Sequence, residues 1–182
     1  MNTPQDWVRL LSNIPLPEQN LAGIAVGEVL HRVLPHRLGG PRILVWTIGA
    51  ASLAAGGAAV AWAWLAARHT RLARPDALVT GGPYALSRNP MYVGCALAHL
   101  GVGLLRDDAW TVAALPVSLV AIHRGVLREE KVLAASFPAE FNQYRLSVPR
   151  YMPGSRVVLR RLRRVAGAAA GRPFPGPPRS AG

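Results

Sequence analysis

Residues 43–67, ILVWTIGAASLAAGGAAVAWAWLAA, run for twenty-five positions without a charge. As a helix rising 1.5 Å per residue this run reaches ~37 Å, more than the ~30 Å hydrocarbon core of a bilayer. Trp46 lies near one end and Trp62 and Trp64 near the other, where interfacial anchors sit. Ala50, Ala54 and Ala58 recur every four residues, and Gly49, Gly56 and Gly57 add bare backbone. A stripe of small residues lets a neighbouring helix approach closely. The run therefore predicts a membrane-spanning helix with a tightly packed partner.

Charge agrees with that setting. The 182 residues carry a formal net charge of +12, yet 51% are hydrophobic, and the mean hydropathy is +0.20. The arginines cluster between and after the apolar runs, as juxtamembrane arginines do. A nucleic-acid binder of this charge would show a reading motif and shorter apolar runs, so nucleic acid is not an expected partner. Lys131 is the only lysine, and Ala and Gly are abundant, the residue usage of a GC-rich bacterial genome. The single cysteine, Cys95, rules out an intrachain disulfide and a thiolate cluster. The first fifteen residues, MNTPQDWVRLLSNIP, lack the apolar stretch of a secretory leader.

Further segments read as helical. Residues 4–14 place Trp7, Leu10, Leu11 and Ile14 on one side, as an interfacial helix would. Residues 20–34 carry Glu28 and Arg32 at i, i+4 and stop at Pro35. That segment is short and polar for a span, and a tilted crossing stays open. Residues 91–105 and 109–127 form a hairpin about Arg106-Asp107-Asp108, with Pro116 expected to kink the second arm. The arginines of 68–90 and of the C-terminal region place those parts in the cytoplasm and 106–108 outside. If 20–34 crosses, Arg32, Arg37 and Arg42 fall on the outer side, against the rule. Residues 128–150 read as a helix-rich cytoplasmic tail broken by Pro138, and 156–165 as an amphipathic helix on an anionic surface. Residues 166–182, rich in Gly, Pro and Ala, read as disordered.

Two stretches are not explained by packing alone. In LVTGGPYALSRNPMYVG, residues 78–94, Gly81-Gly82-Pro83 allows a sharp turn and Pro90 starts a helix. Free N–H groups at that helix start suit an anion, and the faces of Tyr84 and Tyr92 suit a cation such as a sulfonium. On the residues alone, the other reading is a capped interhelical loop with interfacial tyrosines. Glu129-Glu130 forms the second stretch. It reads as a solvated face, or as a pocket carboxylate that Arg124 or Arg128 would partner. The histidines at 31, 36, 69, 99 and 123 lack metal-ligand spacing. His99 and Cys95 share a face at i, i+4 and read mainly as helix packing.

Taken in order, LVTGGPYALSRNPMYVG and REEKVLAASFPAEFNQYRLSVPRYMPG resemble the isoprenylcysteine carboxyl methyltransferase and phospholipid methyltransferase superfamily. Its members are integral membrane enzymes that use S-adenosylmethionine. The resemblance covers roughly residues 76–154. It implies cofactor contacts from Arg88, Asn89, Pro90, Met91 and Tyr92, and from Tyr84 of the Gly-Pro-Tyr stretch. Leu78 and Val79 would help wall the adenosine, and at least one of Glu129 and Glu130 would bind the cofactor. The family's substrate arginine maps to Arg124, with Arg128 as the other candidate. Asn89 stands where His is usual and cannot titrate near neutral pH. Pro138 replaces a glycine.

The expected architecture is an all-α integral membrane bundle of three to five spans, with a cytoplasmic site closed by a helical C-terminal tail. Residues 1–165 would form one domain. The expected setting is a bacterial inner membrane. The expected reaction is methyl transfer from S-adenosylmethionine to a lipophilic or small carboxylate, thiol or amine, with no metal. Glu129 or Glu130 is the nearest base for a protonated acceptor, and Glu130 and Arg124 are the expected catalytic pair. A small-thiol methyltransferase and a silent cofactor- or lipid-binding membrane protein are the alternatives.

Overall fold

A computed structural model describes residues 18–68 and 77–152. The readings made for 4–14, 156–165 and 166–182 lie outside the described residues. Those that are described form five α-helices and one 3-10 turn, with no strand among them. The helices are α1 (Glu18–Val33), α2 (Arg42–Ala67), α3 (Pro90–Leu105), α4 (Ala109–Ser136) and α5 (Pro138–Ser147); the 3-10 turn is Gly82–Ala85. Helices α2 and α4 are long and apolar enough to cross a membrane, and α3 is apolar but shorter.

Helix α2 begins at Arg42, as the uncharged run predicts, and packs along α3. The packed face is not the alanine stripe. Gly49, Gly56, Ala63 and Ala67 are the buried residues of α2, while Ala54 and Ala58 are exposed. The reason is the complementary bare backbone on α3. A Cβ built on Gly56 would lie 2.5 Å from the Gly94 carbonyl oxygen and 2.6 Å from the Ala98 nitrogen. One built on Gly101 would lie 2.6 Å from the Leu53 nitrogen. The two helices touch backbone to backbone, a packing that only glycine at these crossing points permits.

Helix α1 packs mainly on α4 and also touches α3. Gly23 and Gly27 face Ser118 and Thr111 of α4, and Asn20 is buried. His99 of α3 is fully buried where these helices meet. Its Nδ1 lies 3.0 Å from Asn20 Oδ1 and its Nε2 3.0 Å from the Thr111 carbonyl. Helix packing is thus the role His99 plays, and the ring joins three helices.

One end of the bundle is tied by acids. Asp108 caps α4, accepting from the Trp110 and Thr111 amides at 2.9 and 3.2 Å. Burial pushes its carboxyl up, but the bonds from Thr111 and Trp110 outweigh this and hold it below the usual carboxylate range. Glu28 pairs with Arg32, as the i, i+4 spacing predicts, and with Arg106. Asp107 accepts from the Leu38 amide at 3.1 Å, which seats the 34–41 turn beside the α3–α4 link. Arg32 and Arg106 at this end are therefore matched by a carboxylate.

At the other end, α4 does not stop near Leu127. It runs through Pro116 and on to Ser136, so Glu129 and Glu130 stand on its helical extension. Pro138 breaks the helical run as expected: α4 ends at Ser136 and Pro138 opens α5 at the first helical position, where its missing N–H costs nothing. Phe141, Tyr144 and Val148 then pack with Leu78, Leu133 and Phe137.

Candidate functional site

The site is built where the 78–92 loop, the end of α4 and residues 148–152 converge. Gly82 has φ +58°, a left-handed conformation that glycine adopts freely, and it turns the chain into the 3-10 segment. This lowers Tyr84 into a cluster with Ala63, Ala67 and Met91, against which Val79 packs. The Tyr144 hydroxyl donates to the Tyr84 carbonyl at 2.6 Å. Burial, and then the charge of Glu129, push the Tyr84 phenol up to about 12. Burial raises Tyr144 as well, so both hydroxyls stay protonated at physiological pH.

Asn89 and Pro90 start α3. Asn89 occupies the N-cap position, but its side chain turns away from the helix and donates to the Arg150 carbonyl at 3.1 Å. Ser87 Oγ donates to the same carbonyl at 3.2 Å. The Arg88 amide donates to the Pro149 carbonyl at 2.9 Å. The loop and the 148–150 strip are thus stitched together by backbone acceptors, which explains why a polar loop can sit here without leaving its donors unpaired.

Glu130 occupies the centre of this joint. Arg88 donates to its Oε1 from Nε at 3.1 Å and from Nη2 at 2.9 Å. Arg150 donates to Oε1 and Oε2 from Nε at 3.1 Å each, and to Oε2 from Nη2 at 2.8 Å. Arg88 Nη1 also reaches the carbonyls of Arg145 and Val148, at 3.1 and 2.9 Å. The Glu130 and Arg88 side chains are only 13% and 10% exposed. Hydrogen bonding to Glu130 raises Arg150 still further above its usual range. The expected partnership of Glu130 with Arg124 or Arg128 is therefore corrected. Both of those side chains are exposed, and the carboxylate is clamped by Arg88 and Arg150. Helix geometry accounts for the difference: Glu130 points to the loop and the 148–150 strip, where planar guanidinium forks can meet both of its oxygens.

Glu129 faces the other way, and Tyr92 donates to its Oε1 at 2.6 Å. Tyr92 lies at one end of a cavity of about 590 Å³ between α3 and α4. The wall is mainly apolar, with Leu97, Leu100, Leu115, Leu119 and Ile122 among its residues. Its polar lining is Tyr92, His123, Arg124 and Tyr151. His123 Nδ1 lies 2.9 Å from the Tyr151 hydroxyl, with the rings 5.9 Å apart.

The two motifs are thus brought together, but with divided roles. Tyr92 and Arg124 line the cavity. Arg88, Asn89 and Glu130 hold the 148–150 strip. Leu78, Val79, Tyr84 and Met91 pack in apolar clusters, and Pro90 is buried at the start of α3. Sequence reasoning missed Arg150, Tyr151 and His123. Arg150 and Tyr151 lie within the VPRYMP stretch, and His123 stands seven residues before Glu130, on the same face of α4.

Helices α2 and α4, long and apolar enough to cross a bilayer, are those of a membrane protein. The chain belongs to the phospholipid methyltransferase family, whose model matches residues 45–140. It is 37% identical over 79 residues to the cobalt-zinc-cadmium resistance protein CzcN of Cupriavidus metallidurans. It is 32% identical over 77 residues to the nickel-cobalt-cadmium resistance protein NccN of Alcaligenes xylosoxydans xylosoxydans. These alignments take in 43% and 42% of this chain, and the chain spans 36% of the length of each relative.

Proposed function

We propose that this protein is an integral membrane methyltransferase that uses S-adenosylmethionine. Its acceptor is a lipophilic or small carboxylate, thiol or amine, and its site faces the cytoplasm of a bacterial cell. The observation that carries this reading is the Tyr92–Glu129 contact of 2.6 Å at the end of a 590 Å³ apolar cavity, in a chain of the phospholipid methyltransferase family. Pockets for small molecules run from ~300 to 1,000 Å³, so the space is adequate. S-adenosylmethionine supplies a methyl group on a sulfonium. The residues present fit such a ligand. The faces of Tyr92 and Tyr151 attract a cation, and Glu129 accepts hydrogen bonds from an ammonium. Arg124 would meet the acceptor. Leu78, Val79, Tyr84, Arg88, Asn89, Pro90, Met91 and Glu130 frame that pocket by packing and by holding the 148–150 strip. The apolar wall excludes water and orients an acceptor arriving from the bilayer.

The names of the two relatives give a physiological setting, resistance to heavy metals. Among the described residues no three His, Cys, Asp or Glu side chains converge as a metal site.

The test is S-adenosylmethionine binding to purified protein, followed by labelled-methyl transfer to lipid, thiol and amine acceptors. Tyr92→Ala removes the ring face that would meet the sulfonium and the donor to Glu129, so binding should weaken by roughly tenfold, the scale of one partly desolvated cation–π contact. No binding by the wild-type protein would sink the reading. Binding without transfer to any acceptor would favour the silent binder.

A further inference from the structure

Neither expected base lines the cavity. Glu130 has both carboxylate oxygens engaged by Arg88 and Arg150. Glu129 accepts from Tyr92 and is exposed. An acceptor that loses a proton on methylation therefore needs another group inside the cavity. Among the described residues His123 is the imidazole that lines it, and a contact with Tyr151 orients its ring.

We propose that His123, oriented by Tyr151, is the proton acceptor for methylation of a thiol or amine bound in this cavity; the proposal rests on the methyltransferase reading above. With Tyr151 accepting from Nδ1–H, Nε2 carries the lone pair. The acceptor's sulfur or nitrogen lone pair forms the new bond to the methyl carbon. The pair of the old carbon–sulfur bond stays on the sulfur of the departing thioether, and the S–H or N–H proton passes to Nε2. Charge is conserved, since the sulfonium's positive charge ends on the imidazolium. The ring must then lose that proton to solvent before the next cycle, and the half-buried position of His123 allows this. Tyr151 has the second role: its hydroxyl holds the ring in place, and in the proposed tautomer it accepts from Nδ1–H and leaves Nε2 for the proton.

Few charged or titratable groups face the ring. Tyr151 touches the ring, Tyr92 and Arg124 share the cavity, Glu129 is bonded to Tyr92, and Glu130 is neutralised by Arg88 and Arg150. A carboxylate acceptor brings no proton and has no use for His123. This contrast sets the test.

Full-length protein in nanodiscs is assayed with labelled cofactor and two acceptors of matched chain, decanethiol and decanoate. For His123→Gln, transfer to decanethiol at pH 7 should fall by roughly 100-fold, the lower end of general-base contributions. It should recover as pH rises and the thiol ionises in solution. Transfer to decanoate should fall far less, so the ratio of thiol to decanoate transfer drops by most of that factor. Tyr151→Phe should lower the same ratio by a smaller factor. A readout independent of turnover is the ring nitrogen spectrum of 15N-histidine protein, with His123 identified by its loss in the variant. The Nδ1–H form should dominate, shift toward the other tautomer in Tyr151→Phe, and respond to decanethiol. The proposal is overturned if both variants keep wild-type thiol transfer and pH profile, or if the two acceptors lose equally. It is also overturned if Nδ1 is the unprotonated nitrogen. A wild-type protein that neither binds cofactor nor transfers methyl fails in the first arm, and there the methyltransferase reading falls and takes this one with it.

Discussion

Replacing Glu130 with Gln should loosen the 137–152 segment before it affects the rest of the bundle. The carboxylate is 13% exposed and receives two donors from Arg88, 10% exposed, and two from Arg150, 34% exposed. Breaking a buried charge pair by changing one partner costs ~3–5 kcal/mol. Three features lower that figure here. Arg88 keeps the Arg145 and Val148 carbonyls, Arg150 can turn to water, and the Gln oxygen still accepts a neutral hydrogen bond. About 2 kcal/mol remains. For a chain of this size that corresponds to a fall of roughly 4–8 °C in unfolding temperature. Circular dichroism of the protein in nanodiscs measures it, and trypsin cleavage near Arg145 and Arg150 reports the local release. Glu129→Gln, at an exposed position, should stay within about 0.5 kcal/mol of wild type. In the double variant Glu130→Gln/Arg88→Met the losses should be less than additive by about 1 kcal/mol, since both remove one interaction. Wild-type unfolding and wild-type trypsin resistance in Glu130→Gln, or strict additivity in the double variant, would refute the clamp.

The α2–α3 contact and the buried tyrosines give two further expectations. Gly56→Ala forces a methyl to within 2.5 Å of the Gly94 carbonyl and should cost about 1–3 kcal/mol in thermal unfolding, whereas Gly57→Ala meets nothing within 4 Å and should be neutral or stabilising by up to about 1 kcal/mol. Tyr84 has a folded pKa of about 12 against an ordinary 10, so the stability tied to its protonation is complete below pH 10 and is lost as pH rises from 10 through about 12. An alkaline unfolding series should show that limb, and Tyr84→Phe should flatten it in part, the other raised tyrosines, Tyr92, Tyr144 and Tyr151, supplying the rest.

The elements of this fold were legible wherever a local rule decides. The uncharged run located α2 to within a residue, and Pro90 marked the start of α3 because proline suits a first turn. Which face of α2 packs was not legible, because the run carries two stripes of small residues. Only the bare backbone of Gly94 and Gly101 on α3 selects the one through Gly49 and Gly56. The same limit governs the site. Nothing within four residues of Glu130 distinguishes Arg124 and Arg128 from partners 42 and 20 positions away. The choice follows from where α4 points as it leaves its apolar stretch. It has a consequence for what counts as the functional unit. The family match ends at residue 140, yet Arg150 supplies half of the Glu130 clamp and Tyr151 orients His123. A chain cut at the end of the match would keep both recognisable motifs and lose the groups that hold one in place and line the cavity beside the other. The VPRYM strip is therefore part of the site, and variants in it should behave as site variants.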